Sequence, residues 1–207
     1  MTCPVLSGTH VRMEPLIRAH VGPLLRAAGQ EASLYRWSYI PQDLPGMGRY
    51  VDTALAARAS GTAFPFATVR VADGVVIGSS RFFDIERWAW PEGHPESRRE
   101  GPDGCEIGYT WLSAGAIRTA ANTEAKLLML TQAFEVWGVK RVCFHTDARN
   151  ERSRAALERI GAQFEGILRA HRLASDLIAR DSARYSILAA EWPQVRAHLQ
   201  EKLARAA

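Results

Sequence analysis

The chain has few cysteines and no long apolar run, and each absence narrows its class. Three cysteines among 207 residues, Cys3, Cys105 and Cys143, are odd in number and widely separated. This argues against a disulfide framework and favours a reducing compartment. The sequence contains no run of about 18 apolar residues, which a membrane-spanning helix would need. Its first residues lack the basic flank and the apolar stretch of a secretory signal. We therefore expect a cytoplasmic protein without a membrane partner.

The charge is mildly positive and evenly spread. The 26 basic and 22 acidic residues give a net charge of +4. No basic run is interleaved with aromatic residues, as a surface for single-stranded nucleic acid requires. The histidines at 20, 94, 145 and 171 show no metal-ligand spacing. We expect neither a nucleic-acid partner nor a metal.

The pattern of elements predicts one mixed domain. A hydrophobic fraction of 47% is ample for a packed core, and no repeat or low-complexity linker divides residues 1–207. Apolar periodicity and turn residues predict helices over 17–28, 46–59, 123–137 and 151–160 and from Trp192 onward, and strands over 11–13, 66–71, 75–83, 106–112, 141–146, 164–168 and 183–188. Residues 84–104 are predicted to be a long polar loop.

The segment that says most about chemistry is residues 106–112, followed by a loop of small residues, 113–122, and an apolar helix. The first N–H groups of a helix lack intrahelical partners and lie at the positive end of its dipole, so a strand, a turn and a helix start can bind a pyrophosphate. Small side chains let a bulky ligand approach that backbone. The segment predicts an anion-binding loop ahead of Thr123.

Further short motifs follow in a fixed order. They are Glu106-Ile107-Gly108-Tyr109, Asn122-Thr123-Glu124-Ala125-Lys126, Asn150-Glu151-Arg152-Ser153, Ile160-Gly161-Ala162 and Gly166-Ile167-Leu168-Arg169, with Arg180-Asp181, Tyr185-Ser186-Ile187 and Glu191-Trp192 beyond. Together they resemble the GNAT superfamily of acyl-CoA-dependent N-acyltransferases, and most closely the bacterial branch with the Rim-type enzymes that acetylate ribosomal-protein N-termini. The likeness is strongest over residues 106–192.

The resemblance implies a fold and a cofactor site. The fold is α/β (α+β): a splayed, mixed but mostly antiparallel sheet of about seven strands, with helices on both faces. The strands that begin near Glu106 and Arg141 would diverge, leaving a gap for the pantetheine arm of acetyl-CoA. The cofactor-binding residues implied are Trp111, Leu112, Arg118, Thr119, Ala120, Ala121, Asn122, Thr123, Asn150 and Arg154.

The loop departs from the family pattern at three places. The pattern is Gln or Arg, two residues, Gly, one residue, then Gly or Ala, where this chain has Ile117, Ala120 and Asn122. Alanine allows close approach at negative φ but is strained at positive φ. Asparagine tolerates unusual backbone angles better than most residues. Tight cofactor binding therefore depends on the backbone angle at Ala120.

Attack on a thioester requires a neutral amine and so a base. An α-amino group, with a pKa of about 7.7–8.0, is about one-tenth neutral at pH 7, whereas a lysine near 10.4 is neutral in about one molecule in several thousand. A weakly basic carboxylate can therefore serve an N-terminal amine. Glu106, at the start of the splayed strand, is predicted to be that general base. The alternative is that Glu106 only pairs with an arginine at the sheet edge.

The leaving thiolate needs a proton or a hydrogen bond. Many relatives have a Tyr four residues before the Gly that ends the helix predicted here over 151–160. This chain has Leu157 at that position, before Gly161. Ser153, which fits the Asn-x-x-Ser pattern of the branch, is predicted to donate to the CoA sulfur or to be an ordinary helix-start residue. Asn150 is expected to cap the helix and, in this family, can also bind the pantetheine.

The function implied is transfer of an acetyl group from acetyl-CoA to a primary amine in a ternary complex. Two alternatives stay open: a noncatalytic CoA-binding or regulatory module, and an enzyme using another acyl-CoA, such as succinyl-CoA, on a small-molecule amine. The acceptor, a peptide N-terminus or a small molecule, is undetermined because variable segments near 30–60 and 84–104 shape its pocket. The apolar face of the terminal helix favours a homodimer.

Overall fold

The fold is built on one eight-stranded sheet with the order β1-β2-β3-β4-β5-β6-β8-β7. The computed structural model describes residues 4–29 and 31–205, so Cys3 lies outside the described residues. The strands are β1 Leu6–Ser7, β2 Val11–Pro15, β3 Ala63–Arg70, β4 Val76–Glu86, β5 Gly104–Leu112, β6 Arg141–Asp147, β7 Gln163–Leu173 and β8 Ala179–Leu188. The helices are α1 Val21–Ala28, α2 Leu44–Ala59, α3 Ala120–Thr131, α4 Glu151–Arg159 and α5 Trp192–Ala204.

Helices cover both faces of this sheet because its central strands are apolar on both sides. On β3, Phe64 and Phe66 join a core cluster with residues of α3, α4 and α5. Ala67 and Val69 point the other way and pack with α1 and α2. The mixed, mostly antiparallel sheet with flanking helices is confirmed, with eight strands rather than about seven. None of the described helices combines the length and hydropathy needed to cross a membrane.

Several element boundaries differ from the predicted ones. α3 begins at Ala120, three residues before Thr123, because Thr119 caps it: the Thr119 hydroxyl accepts from the Ala121 N–H at 3.2 Å. Its C-terminal end continues as a π-helix over Gln132–Trp137, and Gly138, at φ 65°, closes it in the left-handed conformation as predicted. Apolar spacing cannot distinguish such a widened last turn from ordinary helix.

The predicted loop over residues 84–104 is shorter and more ordered than expected. β4 extends to Glu86 and β5 starts at Gly104. Between them, the buried Asp103 carboxylate accepts from the Trp88 N–H at 2.8 Å and from Trp90 Nε1 at 2.9 Å. These bonds tie the loop to the edge of β5 and so fix one wall of the region around Glu106.

Candidate active site

A split between β5 and β6 opens at Glu106. The two strands are parallel neighbours over only three residue pairs, the last of which joins Glu106 to Cys143. Beyond that point β5 stays with β4 as far as Leu112, while β6 stays with β8 as far as Asp147. The edge of β5 after Glu106 therefore faces a gap, and its main-chain groups on that side have no strand to bond with. The diverging strands predicted from the sequence are present.

A bulge in β5 shapes this edge. Ser79 pairs with Trp111 and Arg81 with Gly108, so three steps on β5 oppose two on β4. Tyr109, inside the bulge, has a φ of 50°. Such an extra residue twists the strand and takes main-chain groups out of the ladder. The bulge lies along the gap, where an extended ligand would run.

The start of α3 lies near the end of β5 and has the geometry of an anion site. Arg118 takes the left-handed conformation, with a φ of 62°. Ala120 is the first residue of α3 and is not among the described residues with positive φ, so the strain that its methyl group would cause does not arise. The Thr119 side chain satisfies Ala121 N–H, and helix geometry leaves other first-turn N–H groups without intrahelical partners.

Glu106 lines a cavity of about 190 Å³ on the face of the sheet opposite the α3 side. The residue is 4% exposed. Its Oε2 lies 2.8 Å from His145 Nδ1 and 3.4 Å from Arg172 Nη2. Arg172 also reaches Asp84 at 2.8 Å. The carboxylate therefore sits at the split with one basic side chain from β6 and one from β7 beside it.

The segment formed by residues 31–38, hereafter the bridging segment, spans the split. The Tyr35 hydroxyl donates to the Leu112 carbonyl at 3.0 Å, on the β5 side. Arg152, at the start of α4, donates to the Leu34 carbonyl at 2.6 Å. Ser175, in the β7–β8 turn, donates to the Arg36 carbonyl at 2.6 Å. A ligand in the gap would lie beneath this segment.

Comparison with known proteins identifies this architecture. A family model described as "Acetyltransferase (GNAT) domain" matches residues 10–163, which is well over half of the chain. The chain belongs to the GNAT acetyltransferases. It is accordingly an acyl-CoA-dependent N-acetyltransferase, and GNAT enzymes use acetyl-CoA as their substrate. No curated protein matches the chain.

Solved GNAT structures resemble the chain over nearly its whole length. A GCN5-related N-acetyltransferase from Brucella melitensis is 28% identical with a TM-score of 0.82, covering 97% of this chain and 86% of its own. A protein from T. thermophilus, provisionally named an acetyltransferase, is 32% identical with a TM-score of 0.79 and 98% coverage of both chains. RimJ from Mycobacterium smegmatis, solved with CoA-disulfide, is 21% identical with a TM-score of 0.75, covering 97% and 92%. This confirms the resemblance to Rim-type enzymes at the level of the fold.

The predicted cofactor residues lie at three places in the structure: the end of β5, the start of α3 and the start of α4. Trp111 and Leu112 end β5, and residues 118–123 form the start of α3. The Trp111 ring is buried against Tyr35, so this residue offers a ligand its main chain rather than its side chain. The Thr123 hydroxyl is already engaged, since it accepts from Arg159 Nη1 at 3.0 Å. Arg159, which the sequence did not single out, therefore brings a cation from α4 beside the start of α3.

The residues expected at the start of α4 have local partners. Asn150 is the predicted cap, and its side chain accepts from the Ser153 N–H at 3.1 Å. Leu157, in place of the familiar Tyr, is buried in the core and offers no proton. The Arg154 guanidinium donates to the Tyr185 hydroxyl at 3.2 Å and lies over the Phe164 ring. Arg154 is thus held against β7 and β8.

Two histidines near Glu106 are functional candidates that sequence reasoning missed. The rings of His145 and His171 are 4.9 Å apart, and both side chains line the same cavity as Glu106. Burial, aided by the charges of Arg172 and His145, lowers the pKa of His171, which favours its neutral form near pH 7. Metal-ligand spacing was the wrong criterion for these residues. Strand register would have indicated His145. It lies two residues after Cys143, which pairs with Glu106, and so its side chain is on the same face of the sheet.

Two of the three cysteines, Cys105 and Cys143, lie within the described residues. Cys105 and Cys143 are buried free thiols, and burial raises the pKa of the Cys105 thiol. A protonated, buried thiol is a poor nucleophile, which argues against Cys105 as a covalent catalyst. Among residues 4–29 and 31–205, no cluster of three or more His, Cys, Asp or Glu side chains could hold a metal ion.

Proposed function

We propose that this GNAT enzyme moves the acetyl group of acetyl-CoA to a primary amine by direct attack in a ternary complex, with residues 1–207 acting as one domain. The position of Glu106 supports this most. Its buried carboxylate belongs to the last residue that pairs across the split, so the cavity lies on one side and the gap on the other. An amine in the cavity would meet a thioester in the gap.

We assign a residue to each step of the transfer. The amine nitrogen attacks the thioester carbonyl as Glu106 accepts its proton, forming a tetrahedral intermediate. Collapse of this intermediate breaks the C–S bond and forms the amide. The sulfur leaves as a thiolate, to which Ser153 donates a hydrogen bond. His145 and Arg172 hold the Glu106 carboxylate in position through the contacts described above.

The donor is held mainly by backbone. We assign the pantetheine to the free edge of β5 at Trp111 and Leu112 and to Asn150 at the start of α4. The pyrophosphate rests on the N–H groups from Arg118 to Thr123, where the α3 dipole favours negative charge. We assign Arg154, one of the implied cofactor-binding residues, to the 3′-phosphate, which would require it to leave Tyr185.

We also propose a cellular compartment and consider whether the enzyme forms a homodimer. The reducing-compartment cysteines favour a cytoplasmic enzyme. The homodimer was inferred from the apolar face of the terminal helix, but Val195 and Leu199 of α5 are buried within the core of this chain. A homodimer therefore needs another surface.

A panel of acyl donors and amines tests the function. Purified protein is mixed with acetyl-CoA or succinyl-CoA and with peptides, free amino acids, polyamines or aminoglycosides, and free thiol is measured. Acceptor-dependent release of CoA from acetyl-CoA is expected. If calorimetry shows that acetyl-CoA binds while no amine accelerates thiol release, the chain acts as a noncatalytic CoA-binding module instead. Faster turnover of succinyl-CoA would overturn the choice of donor.

A further inference from the structure

Arg81 is a buried cation without a counterion. It lies near the middle of β4, and its side chain is on the face that carries Glu106. The residue is 5% exposed. Among the described residues no carboxylate lies within 4.0 Å of its guanidinium, and its buried Nε has no hydrogen-bond acceptor. The neighbouring Arg172, by contrast, contacts both Asp84 and Glu106.

The Arg81 guanidinium contacts aromatic rings. The guanidinium carbon lies 3.9 Å from the centre of the Tyr109 ring and 5.2 Å from that of Tyr50. Tyr50 is itself held by Trp111, whose Nε1 donates to its hydroxyl at 3.3 Å. The Phe83 ring meets Tyr109 edge to face, with centroids 5.0 Å apart. Tyr109 is half exposed, so the group around Arg81 reaches the surface through this ring.

The aromatic contacts offset only part of what burial of this charge costs. A cation–π contact stabilises a charge by less than the removal of that charge from water destabilises it. An arginine side chain stays charged in proteins, so loss of a proton cannot relieve the difference. The site is therefore electrostatically incomplete, and an anion that fits it would bind favourably.

The cation and the proposed base lie next to each other. Arg81 pairs with Gly108, and Glu106 is the diagonal neighbour on β5, about 7–8 Å away between Cα atoms. A Cβ built on Gly108 would lie 3.6 Å from Glu106 Oε1, so that oxygen reaches over the residue directly across from Arg81. The Phe83 ring also lies over this glycine, with its Cε1 and Cζ 2.8 Å and 3.2 Å from the same Cβ position. An acceptor whose amine meets Glu106 and which extends over Gly108 toward Arg81 would therefore have to displace the far end of that ring.

The geometry points to an acceptor that carries both an amine and a carboxylate, a free amino acid or a close analogue, with the carboxylate bound by Arg81. This inference rests on the proposed function and specifies its substrate class. The Glu106 carboxylate faces the amine end and the guanidinium faces the acid end, which complements a zwitterion. The planar guanidinium also matches a carboxylate in a bidentate arrangement.

Matched acceptors test the inference. The kcat/KM of wild type is measured with L-alanine and L-phenylalanine and with their carboxamides, alongside Arg81→Gln and Arg81→Lys. We expect Arg81→Gln to lower kcat/KM about 30-fold for the amino acids and less than about threefold for the carboxamides, because only the carboxylate loses a charged partner. Arg81→Lys should retain part of the preference. Comparing variants with one acceptor removes the difference in amine pKa between acids and amides.

Arg70→Gln is the matched control. Arg70 lies on the neighbouring strand β3, exposed and bonded to Asp73, so its loss should leave both acceptor classes unchanged. Equal losses for acids and amides in Arg81→Gln, or no loss in either, would overturn the carboxylate site while leaving the transferase function intact. Absence of turnover with every amine would count against the proposed function instead.

A readout without catalysis covers that last case. The melting temperature of wild type, Arg81→Gln and Arg70→Gln is measured with millimolar L-alanine or L-alaninamide. The amino acid should raise the melting temperature of wild type and Arg70→Gln but not of Arg81→Gln, and the amide should raise none. The same shift in all three proteins would exclude Arg81 as the binding residue. Near-UV circular dichroism of the apo variants establishes that they are folded.

Discussion

Two buried basic side chains, Lys126 and Arg81, lie on opposite faces of the β4–β5 pair and differ in how the protein accommodates their charge. Lys126, on α3, is wholly enclosed and donates to the Thr110 hydroxyl at 2.7 Å, which in turn lies 2.7 Å from the Ser80 hydroxyl. Burial lowers the pKa of Lys126 to about 7. Arg81, on the other face, lies under Tyr109 and keeps its charge. A closed face can accommodate a lysine because lysine can lose its proton, whereas the face with arginine needs an anion from elsewhere.

The contrast separates structure from function on the two faces. The α3 face around Lys126 carries apolar core residues and the hydroxyl groups of Ser80 and Thr110. The Arg81 face carries the carboxylate, the histidines and the cavity. We therefore assign acceptor chemistry to one face alone, and substitutions on the two faces should change different quantities.

The largest effect is expected for Glu106→Gln on the acceptor face. Loss of the base should lower kcat about 100-fold with little change in acetyl-CoA affinity, measured by thiol release and calorimetry. The wild-type kcat/KM should rise with pH over about pH 6 to 9 as the amine is deprotonated. Asp84→Asn is the control, since it removes the other partner of Arg172 and leaves the base. A flat pH profile would contradict attack by a neutral amine, and equal losses in both variants would contradict the role assigned to Glu106.

Lys126→Met tests the closed face and should change stability rather than catalysis. The pKa of Lys126 falls from 10.5 to about 7 on folding, so between those values the unfolded chain binds more protons. Its contribution to the free energy of unfolding is therefore least favourable below pH 7 and improves as pH rises toward 10.5. The variant should be about 2 kcal/mol more stable at pH 7, since methionine needs no desolvation of charge.

Denaturant titrations of both proteins measure this gap, which should shrink as pH approaches 10. Turnover of Lys126→Met with the preferred amine should stay within about twofold of wild type. A variant that is less stable at pH 7, or a gap independent of pH, would mean that the lysine is stabilising where it lies. Strongly reduced turnover would show that the two faces are not separable.

The smallest effect is expected at the start of α3, the proposed binding site of the donor pyrophosphate. Ala120→Asp should weaken acetyl-CoA about tenfold in calorimetry, because the new carboxylate repels the pyrophosphate. Stability should not fall, since an acidic residue in the first helical turn is favourable. Ala120→Ser, which adds a hydroxyl without charge, serves as the control. Unchanged affinity in Ala120→Asp would remove the pyrophosphate from this loop.

The elements could be predicted because their signals are local, whereas the split was implied by the resemblance to the GNAT superfamily. Glu106 begins a strand motif, and Gly138 and Asn150 terminate and cap helices through their own backbone preferences. The loop before α3 was harder to predict. A positive φ was considered at Ala120, whereas the residue with positive φ in this loop is Arg118. β1 is only two residues long and has no periodicity of its own.

The acceptor site could not be assembled from the sequence for a different reason. Arg81, Glu106, His145 and His171 come from four strands, and only strand order and register bring them together. Each side chain is ordinary in its own stretch of sequence. The bulge at Tyr109 adds a shift of one residue, which reverses the facing of everything beyond it on β5. Long-range pairing therefore determines the chemistry that local patterns leave open.

Only three rungs of main-chain pairing hold β5 to β6. A thioester bound at the proposed site between them would contact both halves of the sheet and so stabilise the folded state. Ligand present at 100 times its dissociation constant adds about 2.7 kcal/mol to the folded state. We expect the melting temperature to climb with donor concentration, so that the supply of activated acyl groups in the cell sets how much heat this enzyme withstands.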